Sequence, residues 1–107
     1  MDFENSEKRK GIVLLAEALG TAFFVTAYSL ELQSMAYLAL PMVYFVFCLL
    51  LLPISGAHMN PAISTALYIS MKKAPGQFGY LLMVIMAQFV GGLIGMQLAH
   101  LYRVTNN

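Results

Sequence analysis

Between Lys10 and Lys72 the chain carries only two formal charges, Glu17 and Glu31, and between Lys73 and Arg103 it carries none. This leaves three long apolar segments, at about residues 11–30, 35–52 and 78–101. An α-helix rises about 1.5 Å per residue, so ~20 residues cross a hydrocarbon core of ~30 Å. Each segment is long enough. Of the 107 residues, 60% are hydrophobic and 10% charged, against about 25% charged in a soluble domain. A water-soluble fold of this size has nowhere to bury that much apolar surface. A signal peptide reads less well for the first segment, because its apolar stretch is too long and two more follow. The expected class is an all-α membrane protein.

The second and third segments are separated by something other than an ordinary loop. Ile54–Met59 is rich in small residues, and Asn60-Pro61 is a strong helix start. Asn caps orphan backbone N–H groups, and Pro suits the first helical position. The helix predicted from there spans about residues 61–71, or ~16 Å, half a bilayer. Lys72-Lys73-Ala74-Pro75-Gly76 closes it. Residues 1–10 read as a polar tail, 11–103 as one transmembrane unit, and 104–107 as a short second tail. Pro41 and Pro53 predict local bending of the second span.

Basic residues near span ends favour the cytoplasmic side. Lys8, Arg9, Lys10, Lys72 and Lys73 form two clusters, and Arg103 stands alone at the far end. Both clusters share a face if residues 54–71 enter the membrane and return. That predicts a re-entrant half-helix, a cytoplasmic N-terminus and a C-terminus on the opposite face. Backbone that is not helical at membrane depth must be buried in protein or line a water-filled cavity. The loop at 54–60 is therefore the expected functional site.

Ser55-Gly56-Ala57-His58-Met59-Asn60-Pro61-Ala62 resembles the first Asn-Pro-Ala loop of the aquaporin (major intrinsic protein) family. Ala16-Glu17-Ala18-Leu19-Gly20-Thr21-Ala22-Phe23 and Ala87-Gln88-Phe89-Val90-Gly91-Gly92 resemble that family's first-helix and third-helix motifs, in the same order. The likeness spans nearly the whole chain but only the first half of the family fold, one of two inverted repeats. It implies three transmembrane helices plus one re-entrant half-helix, and a path for water or a small neutral solute. On the resemblance, Gly56, His58, Asn60, Pro61 and Ala62 belong to the pore, and Glu17 and Gln88 support the loop. Leu40, about twenty residues before Asn60, falls at a constriction position. No cofactor is implied.

The residues also have readings of their own. A half-helix N-terminus carries about +0.5 charge, and Asn60 can cap it while keeping an N–H donor for a solute. Glu17 is a carboxylate inside a span, which is costly and calls for a role. Holding loop N–H groups is one role, and relaying protons is the other. His58 reads either as a pore-entrance residue or as a partner of loop carbonyls, and His100 as interfacial. Ala16-x3-Gly20, Ala18-x3-Ala22, Ala87-x3-Gly91 and Gly91-x3-Gly95 permit close helix contact, within the fold or with another chain. The single Cys48 excludes an intrachain disulfide and most cysteine-based metal sites.

No nucleophile–base pair or phosphate loop points to an enzyme, and a net charge of +1 gives no purchase on nucleic acid. Two functions compete. One is a channel unit that takes its second repeat from another membrane chain. The other is a structural, non-transporting subunit of a membrane complex. A partial product of a longer gene is a third expectation. The expected surroundings are the lipid bilayer and a complementary chain or oligomer.

Overall fold

The computed structural model describes residues 7–30, 36–71 and 77–106. Their secondary structure is helical: α1 (Glu7–Leu30), α2 (Ala36–Ser55), α3 (Pro61–Ser70) and α4 (Phe78–Thr105). Among the described residues, three helices are long and apolar enough to cross a membrane, at Arg9–Leu30, Leu38–Ser55 and Phe78–Thr105. The chain is a multi-pass membrane protein. α1 starts inside the first polar stretch, and α4 runs past Arg103, where nothing before Asn106 opposes continuation of the helix. The junctions at 31–35 and 72–76, including Glu31, Lys72 and Lys73, lie outside the described residues.

α1 and α4 run parallel in close contact. Glycine makes this possible. Gly91 lies against the backbone of Ala18, and Gly95 against the backbone of Ala22. The small-xxx-small patterns thus meet within one fold. Polar contacts extend the seam: the Thr26 hydroxyl donates to the Gly95 carbonyl at 3.1 Å, and the Ser29 hydroxyl to Met96 Sδ at 2.8 Å. At the starting end, Val13, Tyr80 and Val84 form a buried cluster with Leu14 and Tyr68 against it, and the Lys10 ammonium lies 5.4 Å from the Tyr80 ring centre.

α2 is antiparallel to α1. Phe24 meets Tyr44 edge-on at 5.5 Å, Phe23 stacks on Phe47 at 5.1 Å, and Ser55 reaches Glu17. α2 runs unbroken through Pro41 and Pro53 and ends at Ser55. Gly56 explains the stop. Its φ of 85° is left-handed, and its N–H closes on the Leu52 carbonyl at 3.1 Å, a helix-ending turn that suits glycine.

Glu17 lies ten residues into α1, about 15 Å from its start. α2 therefore stops partway through the depth of the unit. α3 then covers the remaining distance, from the Glu17 level to Tyr68, whose ring lies 6.2 Å from that of Phe78 at the start of α4. The non-helical loop thus lies at the level of Glu17, between the end of α2 and the start of α3. The end of α3 and the starts of α1 and α4 share one end, and Thr105 lies at the other. Single cysteines replacing Arg9 and Met71, in a Cys48→Ala background, should label from the same face, and one replacing Val104 from the opposite face. Arg9 and Met71 labelling from different faces would overturn this arrangement.

Candidate functional site

The site is built around one buried carboxylate. Glu17 has no exposed surface and accepts four hydrogen bonds. Oε1 takes the Ser55 hydroxyl at 2.6 Å and the His58 N–H at 3.0 Å. Oε2 takes the Met59 N–H at 2.6 Å and the Gln88 Nε2–H at 2.9 Å. A carboxylate offers about four lone-pair positions, and all of them are used on local donors. The geometry suits a loop anchor, and leaves no lone pair for a proton relay.

These bonds determine the backbone of the loop. Ala57 has φ 54° and Met59 φ 50°, a region that costs an ordinary L-residue roughly 1–2 kcal/mol. The two strained residues flank His58, and the result is that successive N–H groups, of His58 and Met59, converge on one carboxylate. Ser55 completes the corner by accepting the Ala57 N–H at 3.2 Å. Met59 side-chain atoms fill the space above Gly20, where a β-carbon would collide with them.

α3 begins at the far side of this corner. Asn60 is the N-cap, extended at φ −159°, and its Oδ1 accepts the Ala62 N–H at 2.8 Å. Pro61 occupies the first turn, where its missing N–H costs nothing. Asn60 and Ala62 are exposed, while Ala57, His58 and Met59 are buried. The tip thus presents the Asn60 amide and the positive end of α3 outward, and the carboxylate stays behind the loop. Beside the tip is an open, apolar groove of about 410 Å³, lined by Pro61, Gln88, Phe89, Gly92, Leu93 and Val25, among others.

The structure brings together Glu17, Gln88, His58 and the Asn60-Pro61-Ala62 tip. It does not bring Leu40 there. Leu40 borders a separate cleft with Phe24, Pro41 and Tyr44, and fifteen residues of α2 separate it from Ser55, about 22 Å along the helix. Leu40 thus lies at a different level of the unit from the groove at Pro61. His58 does not pair with loop carbonyls through Nδ1. That nitrogen lies 2.8 Å from Ser64 Oγ. His100 is exposed on α4.

One member of the site escapes a reading by motif, and one motif residue has a role the motif does not state. Ser64 is fully buried and joins His58 to Gln88, whose Nε2 also reaches Ser64 Oγ at 2.9 Å. Ser55 holds both Glu17 and the Ala57 N–H. The available signal for Ser64 was its position one helical turn after Asn60, on the face that also carries the cap. Comparison of the chain with known family models, curated proteins and solved structures finds no match, so the site is interpreted from its own geometry.

Proposed function

We propose that this chain is one repeat of an aquaporin-like channel, passing water or a small neutral solute, and that another membrane chain supplies the second repeat. The observation that carries this reading is the exposed Asn60 tip of α3, placed at depth and held from behind by Glu17. The His58 and Met59 N–H groups are taken by the carboxylate and the Ala57 N–H by Ser55, while the Asn60 Nδ2 remains to meet a solute oxygen. A positive half-helix end at low dielectric disfavours cations and favours neutral, oxygen-bearing solutes. The open groove beside Pro61 marks where a pore wall is incomplete. A water path at that level needs a second element opposite the tip.

In this reading the N-terminus is cytoplasmic, since Arg9 and Lys10 lie at the end where α1 and α4 begin, and the C-terminus is on the opposite face. The same basic bias makes an antiparallel pair of identical chains a poor source of the missing half. The test is osmotic shrinkage of proteoliposomes by stopped-flow. The chain alone should add little water permeability to that of lipid. Co-reconstitution with a partner carrying an opposed Asn-Pro-Ala half-helix should raise it, and Asn60→Asp should alter its selectivity. High permeability from the chain alone, in one orientation, would contradict the two-repeat argument. Extraction in mild detergent that recovers a large assembly without such a partner would favour the structural-subunit reading.

A further inference from the structure

Ser64 and Gln88 have no part in the tip itself, yet both are fully or almost fully buried. They form an ordered series of hydrogen bonds whose direction follows from its first member. Glu17 Oε2 accepts from Gln88, so the Gln88 amide must turn its nitrogen toward the carboxylate. A flipped amide would set its oxygen against Glu17 Oε2, acceptor against acceptor. The unflipped amide leaves Gln88 Oε1 buried without a partner among the described residues. The structure thus accepts an orphan oxygen in order to keep the nitrogen where it is.

That nitrogen has two hydrogens. One goes to Glu17 Oε2 at 2.9 Å, and the other to Ser64 Oγ at 2.9 Å. Ser64 Oγ therefore accepts from Gln88. A hydroxyl can accept twice, but its single proton needs an acceptor, and among the described residues His58 Nδ1, at 2.8 Å, is the one left within reach of Ser64 Oγ. A histidine nitrogen that accepts carries no hydrogen, and the hydrogen of the neutral ring resides on the other nitrogen. We propose that Ser64 and Gln88 are positioning residues that hold His58 as the Nε2–H tautomer, giving the ring a donor and no free acceptor. The ring is almost fully buried behind the tip, so the tautomer sets the polarity of the support behind Asn60, and the proposal stands independently of the channel reading.

The test is independent of transport. The full chain, in detergent micelles with ¹⁵N-labelled histidine, is examined by long-range ¹⁵N–¹H correlation of the imidazole rings, and His100→Gln assigns the His58 signals. The unaltered chain should show one pyridine-like nitrogen, Nδ1, and one pyrrole-like nitrogen, Nε2. Ser64→Ala should collapse that separation toward the average of two exchanging tautomers, and Ser64→Thr, which keeps the hydroxyl, should restore it. A ring protonated on Nδ1 in the unaltered chain would overturn the proposal, and that measurement stands even if Ser64→Ala fails to fold. A spectrum unchanged by a folded Ser64→Ala variant would overturn it equally. Either result leaves the permeability test of the channel reading untouched.

Discussion

Gly91→Ala should destabilise the protein by on the order of 3 kcal/mol, the upper part of the usual range for overpacking. A β-carbon at position 91 would meet the Ala18 carbonyl oxygen and its neighbouring backbone atoms well inside van der Waals contact. Backbone cannot rotate out of the way as a side chain can, so α1 and α4 must separate. Separation also loosens Gln88 from Glu17 and Thr26 from Gly95, because all of these contacts lie on the same seam. Gly95→Ala should behave similarly, meeting the Ala22 carbonyl oxygen. Gly92→Ala is the control. Its nearest neighbours would be Val25 Cγ2 at 3.8 Å and Thr21 Cγ2 at 3.9 Å, which is ordinary contact. Ala exceeds Gly in helix propensity by up to ~1 kcal/mol, so this variant should be neutral or slightly stabilised. The check is the midpoint of SDS-induced unfolding in mixed micelles, followed by circular dichroism. Equal midpoints for Gly91→Ala and Gly92→Ala would show that the close approach of the two helices carries no stability.

Glu17→Leu should be the most damaging single substitution, by about 4–6 kcal/mol. It leaves the Ser55 hydroxyl, the His58 and Met59 N–H groups and a Gln88 N–H without their acceptor. A buried donor stripped of its partner costs ~1–3 kcal/mol, more where no water can reach it. Relaxation of the loop recovers part of that sum. Glu17→Gln keeps the shape and one acceptor oxygen, so it should cost about half as much. The same unfolding assay reads both. Equal losses for Leu and Gln would mean that the loop is held by packing alone, and that the left-handed backbone at Ala57 and Met59 has another cause.

The three spans were legible because charge is excluded from them. The half-helix was legible because Asn60-Pro61 is a start signal independent of tertiary context. The small residues announced a close helix contact, but not its partner, since Ala16, Ala18, Ala22, Gly91 and Gly95 fit several pairings equally well. The end of α2 was less legible, because the helix runs to Ser55, past Pro53, and Gly56 supplies the stop through its left-handed turn. The conformations of Ala57 and Met59 were not legible at all. Their side chains disfavour positive φ, and only the carboxylate across the fold makes it worthwhile. Ser64 was missed for a related reason. Its two partners are His58, before the helix begins, and Gln88, 24 residues further along. Leu40 was placed by counting along the chain, and it lines a cleft of its own with Phe24, Pro41 and Tyr44, apart from the tip.

The sequence separation of the Glu17 contacts also has a consequence for synthesis. Glu17 enters the membrane first, its loop donors follow 41 and 42 residues later, and Gln88 follows after 71. At roughly 5–20 residues per second, the carboxylate waits about 4–14 s for its last ligand. Until the loop emerges, a buried carboxyl group in a hydrocarbon slab has none of its partners, and until Gln88 emerges it lacks the last of them, so α1 is best kept near water or near the insertion machinery. Commitment of the first helix is thus deferred to the emergence of the last. A ribosome-bound chain ending before α4 should remain extractable where the finished protein is not, and the order of assembly is written in the distance between one acid and one amide.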